Sequence, residues 1–268
     1  MKSLKIFFVG IPLLIIALAF VSSSVYAQAK SSFPSKTDFF QLDLLGQLYF
    51  VNGSELKKYS KDAVLLNTFS NLYLGDITSL DVSDPMNILL YYDDNNQIIL
   101  LDNQLAVKNS PIDLSELGYE QASLVCLSYN NGFWLFDPIS QALIRFNNLL
   151  DETDNSGNIL NVTGYQIQPV QLIERDNQVI LRDNKYGIFV FDRFGNYIKR
   201  IPFVNIDDLY IRSGQWQILK NDTNLFFNPL TMQIDTIPLL YNNVNEIRIN
   251  KNRIYYRNNK NNFFYHDL

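Results

Sequence analysis

Three sets of turn residues recur in the same order six times along this chain, and that recurrence constrains its fold more than any other feature. The first set is Gly46, Asp84 and Pro85, Asn131 and Gly132, Asp176 and Asn177, Ser213 and Gly214, and Asn250 to Asn252. The second is Asn52 and Gly53, Asp93 to Asn96, Asp137 and Pro138, Asp183 and Asn184, Asn221 and Asp222, and Asn258 and Asn259. The third is Ser60, Asp102, Asn147, Asp192, Asn228 and His266. Asn, Asp, Gly and Pro accept turn dihedrals or cap turns with their own side chains. Between them lie runs of about five to seven residues rich in Ile, Leu, Val, Phe and Tyr, which suit strands. Each unit of about 40 residues therefore holds strands A, B, C and D in an antiparallel meander. Six such units predict an all-β chain, a six-bladed β-propeller.

The predicted blades cover roughly residues 38–71, 76–114, 120–161, 166–203, 207–239 and 245–268. The fourth is the clearest: A is Val170 to Arg175, B Val179 to Arg182, C Gly187 to Asp192 and D Tyr197 to Ile201. The sixth runs out after three strands. A ring left open there would expose sheet edges, so residues 29–37 are expected to supply the missing outer strand; the alternative is a sixth blade of three strands.

The N-terminus stands apart. Lys2 and Lys5 precede an apolar run from Ile6 to Val21, and Val25-Tyr26-Ala27 offers small residues where a signal peptidase reads. This is the layout of a secretory signal peptide, residues 1–27, cleaved after Ala27. The domain is then residues 28–268, in the periplasm or secreted, with no membrane span after cleavage. Loss of Lys2 and Lys5 leaves 20 basic residues against 27 acidic, a net charge of −7. An acidic chain without basic runs does not suit a phosphate backbone, so no nucleic-acid partner is expected. Cys126 is the single cysteine. No intramolecular disulfide can form, and the domain must rely on its apolar core. Cys126 itself, in Leu124-Val125-Cys126-Leu127, reads as a core thiol. Trp134 and Trp216 read as packing between blades.

The unit Asn184 to Ile201, "NKYGIFVFDRFGNYIKRI", resembles the NHL and YWTD-type six-bladed propellers. An apolar strand ends in Asp, a Gly-containing turn follows, and an outer strand closes the blade. The resemblance implies a ring that binds a ligand or partner.

Catalytic residues are scarce. The single histidine, His266, falls at a predicted turn near the C-terminus, a poor place to hold a catalytic imidazole. No His/Cys cluster suits zinc, and no Gly-rich phosphate loop appears. No catalytic residue, cofactor site or metal site is assigned. One constellation follows the repeat. Asp38, Asp76, Glu120, Gln166, Asp207 and Glu246 open the predicted inner strands. On a closed propeller they would ring the channel mouth, with Tyr73, Tyr119, Tyr165 and Tyr241 nearby. Such carboxylates focus negative potential and attract a basic partner segment. The same oxygens would suit Ca²⁺. The polar stretch Asp151 to Asn158 is expected to be a long loop on that face. The expectation is an exported bacterial binding or scaffold protein, monomeric outside its complex, docking to an envelope protein or basic peptide. The alternative is a metal-dependent lactonase- or lyase-like enzyme with its site at the channel mouth.

Overall fold

The computed structural model describes residues 33–267 apart from 213, 238, 240, 241, 251 and 252. The signal-peptide reading of residues 1–27, and residues 29–32 of the expected closing strand, lie outside the described residues.

Strands follow the turns. Blade one is β1 (Phe39–Leu42), β2 (Leu48–Asn52), β3 (Glu55–Tyr59) and β4 (Leu65–Ser70). Blade two is β5 (Ser79–Asp84), β6 (Asn87–Tyr92), β7 (Gln97–Leu101) and β8 (Ile112–Asp113). Blade three is β9 (Leu124–Ser128), β10 (Gly132–Asp137), β11 (Ala142–Phe146) and β12 (Glu152–Asn155). Blade four is β13 (Pro169–Arg175), β14 (Gln178–Asp183), β15 (Gly187–Asp192) and β16 (Tyr197–Ile201). Blade five is β17 (Asp208–Arg212), β18 (Gln215–Lys220), β19 (Thr223–Phe227) and β20 (Ile234–Ile237). Blade six is β21 (Val244–Asn250), β22 (Arg253–Asn258) and β23 (Phe263–Asp267). Every sheet is an antiparallel meander in chain order. The first strands meet one another: β1 touches β5 and β21, β9 touches β5 and β13, and β17 touches β21. The fold is a six-bladed β-propeller.

The third turn set has a common chemistry. At Ser60, Asp102, Asn147 and Asp192 a side-chain oxygen accepts from the backbone N–H two and four residues on. Asn228 accepts instead from Leu230 and Thr231, two and three residues on. The residue three on takes positive φ in four of them: Ala63, Leu105, Leu150 and Gly195. A short acceptor side chain is what this geometry requires. His266 is different. It lies inside β23, opposite Ile254, with its ring stacked on Tyr256 at 5.4 Å. The expected turn is not found there because β23 stays paired with β22 through Asp267, while the turn preceding it, Asn258 to Asn262, is the sixth member of the second set.

The continuous apolar runs are explained by burial on both faces. Alternate residues of a strand go to opposite neighbours. In β6, Ile88, Leu90 and Tyr92 pack with Tyr49, Val51 and Leu56 of blade one. Leu89 and Tyr91 pack with Val125, Leu127 and Phe133 of blade three. The described core divides into six apolar clusters, one for each pair of adjacent blades. Trp134 and Cys126 belong to the interface of blades three and four, and Trp216 to that of blades four and five.

One further expectation needs correction, and that for blade six is answered only in its described part. Half of the stretch Asp151 to Asn158 is not a loop: Glu152–Asn155 is the outer strand β12, paired to β11 across a bulge. It is polar because an outer strand with a solvated edge needs little apolar surface. The true connection to blade four follows it and carries a short helix, α1 (Ile159–Thr163), capped by the Asn158 side chain. In blade six, the described part of the closing segment, residues 33–37, takes no strand conformation. Phe33 instead inserts between blades one and six. Its ring lies 5.5 Å from Phe50, 5.8 Å from Tyr59, 5.1 Å from Phe263 and 5.4 Å from Tyr265.

Candidate functional site: the channel and its two mouths

The meander gives the ring two unlike faces. One carries the B–C turns and the blade-to-blade connections. The other carries the A–B and C–D turns.

The B–C face holds most of the sequence-derived acidic residues, though not as one ring. Asp38 and Asp207 cap turns, accepting from the N–H of Gly53 at 2.8 Å and of Asn221 at 2.9 Å. Asp76 approaches the same Gly53 turn as Asp38, with Oδ1 3.1 Å from the position a Cβ would take there. Glu120 and Gln166 are exposed on connections. Glu246 is not a mouth residue. It is buried inside β21, two residues past the strand's start and across a bulge. The residues that open the inner strands are Asp38, Thr78, Ser123 and Asp207. Their N–H groups donate to Val51, Tyr91, Phe136 and Leu219. Counting from sequence placed Asp76 and Glu120 two and three residues early, because connections between blades differ in length. Tyr73 projects into solvent. Tyr119 donates to Glu152 at 2.7 Å. Tyr165 packs on Tyr186 at 5.0 Å beneath the Arg200 guanidinium. Tyr241 lies outside the described residues. Among the described residues no three of His, Cys, Asp and Glu converge as a metal-binding group.

Glu246 belongs to a buried ion network at the seam of blades five, six and one. Arg248 pairs with Asp208 and, at 2.9 Å, with Glu246; Arg257 reaches Glu246 at 2.8 Å. Two cations meet two carboxylates, so the seam is neutral. Arg248 also donates to Gln41 and lies over the rings of Phe40 and Tyr210. Burial pushes the Glu246 carboxyl above its ordinary range, against the pull of Arg248 and Arg257. These carboxylates serve the backbone as well. Each inner strand presents an edge to the channel, and its N–H and C=O groups need partners. Glu246 accepts from Phe40 N–H, Asp208 from Ile247 N–H and Asp81 from Leu127 N–H, while Gln171 donates to the Leu209 carbonyl. Side chains of one inner strand thus clasp the next. Their signal in the sequence was a polar residue at the channel-facing register of an inner strand, as in Glu246-Ile247-Arg248.

The channel itself encloses a cavity of about 240 Å³ lined by all six inner strands. Gln41, Asp81, Cys126, Ile173, Tyr210 and Arg248, one from each inner strand, are among its lining residues. Arg175 comes within 3.8 Å of Asp81 across it. Burial raises the Cys126 thiol well above its ordinary value, which suits a core residue and not a nucleophile.

No protein-family description and no curated protein sequence matches this chain. Solved structures match its fold. Virginiamycin B lyase from Staphylococcus aureus superposes with a TM-score of 0.58 at 13% identity, covering 84% of this chain and 78% of that one. A streptogramin B lyase gives 0.58 at 12% identity, over 88% of this chain and 85% of that one. PorZ, a bacterial surface component of the type-IX secretion system of Porphyromonas gingivalis, gives 0.53 at 13% identity, over 88% of this chain and 37% of its own. At such identity the likeness concerns the propeller fold, and functions on one fold vary widely.

Proposed function

We propose that this chain is an exported, non-catalytic binding protein that holds a basic partner segment against the B–C face of its propeller. The observation that carries the reading is the set of exposed carboxylates there. Asp38, Asp76, Asp93, Asp94, Glu120 and Asp207 all lie on that face, and no ion pair among the described residues engages any of them. Unpaired carboxylates on one side of a rigid ring attract a cationic partner over about a Debye length and speed its encounter. Tyr73 and Leu72, 96% and 81% exposed, add apolar contact area beside them. Export rests on the N-terminal pattern of Lys2, Lys5, the run Ile6 to Val21 and the small residues before Gln28. That a similar propeller belongs to PorZ, a bacterial surface component, is in keeping with an envelope role.

The test is cross-linking capture from an envelope fraction, at low and high salt, with the natural protein and with Asp38→Asn, Asp76→Asn, Glu120→Gln and Asp207→Asn combined. Asn retains the oxygen that caps the Gly53 and Asn221 turns, so the fold should persist. The reading expects a partner with a basic segment that the natural protein captures and the variant does not. Equal capture by both would move binding off this face. N-terminal sequencing of the exported protein tests the leader separately, with Gln28 as the expected first residue.

A further inference from the structure

On the opposite face, the channel opens into a cavity of about 290 Å³ whose walls combine two guanidinium groups with an apolar floor. Arg175 ends β13 and Arg212 ends β17, each just ahead of its A–B turn. The floor is Leu42, Val82 and Ile211, all buried. We propose that this mouth binds an apolar carboxylate, a carboxyl group attached to an aliphatic body, as in an N-acylated amino acid or a peptide C-terminus ending in an aliphatic residue.

Unused donors point to the anion. A guanidinium carries five N–H donors in a fixed fork. Arg175 spends one on the Glu174 carbonyl at 2.7 Å, and its ion pair with Asp81 at 3.8 Å is too long for a hydrogen bond. Arg212 spends two, on the carbonyls of Ile249 at 3.1 Å and Leu44 at 3.4 Å. Neither arginine hydrogen-bonds a carboxylate among the described residues. Arg145, Arg248, Arg253 and Arg257, by contrast, each hydrogen-bond one. One acid does line the cavity, Asp176, and its Oδ2 already accepts from Gly214 N–H at 3.0 Å. With Asp81 beside Arg175, two carboxylates face the two cations, so what the wall offers a ligand is unused N–H donors and not an excess of charge. Arginine forks suit bidentate carboxylate recognition. The apolar floor selects a ligand with a body, because a bare inorganic anion would leave Leu42, Val82 and Ile211 uncovered.

This site lies on the other face from the acidic residues, so either assignment can fail alone. The experiment is calorimetric titration of the full exported chain with N-acetyl-leucine and with a short acetylated peptide ending in leucine. Their carboxamides and inorganic phosphate are the controls. Both acids should bind, with the amides at least about tenfold weaker, the scale of a charged hydrogen bond. A peptide that binds more tightly than N-acetyl-leucine identifies a C-terminus as the ligand; equal binding identifies a free acid. Arg175→Gln should lose about tenfold in affinity for the acids. It removes a side chain that is 28% exposed and whose hydrogen bond goes to the adjacent Glu174 carbonyl, and its thermal melt should match that of the natural chain. Arg212→Gln should weaken the acids as well. No heat with either acid, equal affinity for acid and amide, an unchanged Arg175→Gln variant, or phosphate bound as tightly as the acids would each overturn the assignment.

Discussion

At the scale of single residues, the turns and the seam carry separable consequences. Asp192 accepts from the N–H groups of Phe194 and Asn196 and from the Asn196 side chain. Partial burial raises its pKa, but these hydrogen bonds outweigh burial and hold the carboxyl below its ordinary value of 3.8. A depressed carboxyl adds stability that is present above the unfolded value and lost as pH falls through the folded one. Asp192→Asn keeps the acceptor, as Asn147 and Asn228 do in sister turns. It should be slightly less stable than the natural protein at neutral pH, and the gap should close below about pH 3.8, in urea melts run across the acid range. Gly187 is constrained more severely. Its φ is +97°, and a Cβ there would stand 2.6 Å from the Ile201 carbonyl oxygen. Gly187→Ala should cost about 1–3 kcal/mol in the same assay. Arg248 is the third case. Removing it leaves Asp208 and Glu246 buried with only Arg257 in reach of one of them. Arg248→Met should therefore cost about 3–5 kcal/mol. A loss under 1 kcal/mol would mean that water enters the seam and solvates the two acids.

At the scale of elements, blade six depends most on its neighbours. Among the described residues it has three strands, and its interface with blade five is the smallest of the six apolar clusters. That interface also buries an amide pair, Gln217 donating to Asn224 at 3.0 Å. The ion network fastens its inner side and Phe33 its outer side. Phe33→Ala should destabilise the ring by about 3–5 kcal/mol, as for other buried Phe truncations, read from a thermal or urea melt. A protein that tolerates the change would show that the aromatic seam contributes little. Legibility in the sequence divides along the same lines. The turns were readable because an Asp, Asn or Ser oxygen reaching the N–H two residues on is local chemistry, as at Asp102 and Asp192. The inner and middle strands were readable because burial on both faces forces unbroken apolar runs such as Ile88 to Tyr92. An outer strand was readable where apolar residues remain, as in Tyr197–Ile201, and not where it is wholly polar, since Glu152–Asn155 pairs only one edge and needs little apolar surface. The channel residues were only half readable. Glu246 drew notice for its charge, but the bulge between Val244 and Glu246 and the unequal connections moved it from the mouth into the wall. Arg175 and Arg212 were missed because nothing local distinguishes a channel-facing arginine from a solvated one.

At the scale of the whole molecule, six apolar interfaces make a ring whose core needs no disulfide, and whose two faces are free to diverge. The meander sends B–C turns and connections to one side, where Asp38, Asp76, Asp93, Asp94, Glu120 and Asp207 collect with no ion pair among the described residues. It sends the other turns to the side where Arg175 and Arg212 line the mouth. The central claim is that the first of these faces binds a basic segment. It is tested most directly by the affinity of a defined lysine-rich peptide for two variants of equal net charge. One neutralises Asp38, Asp76, Glu120 and Asp207 on the B–C face. The other neutralises Asp62, Asp84, Asp102 and Asp151 on the opposite side. At about 0.05 M salt, where a Debye length still spans the channel mouth, the account predicts that the first variant loses most of the affinity and the second retains it. Equal loss in both would contradict it, because binding would then follow net charge and not the face.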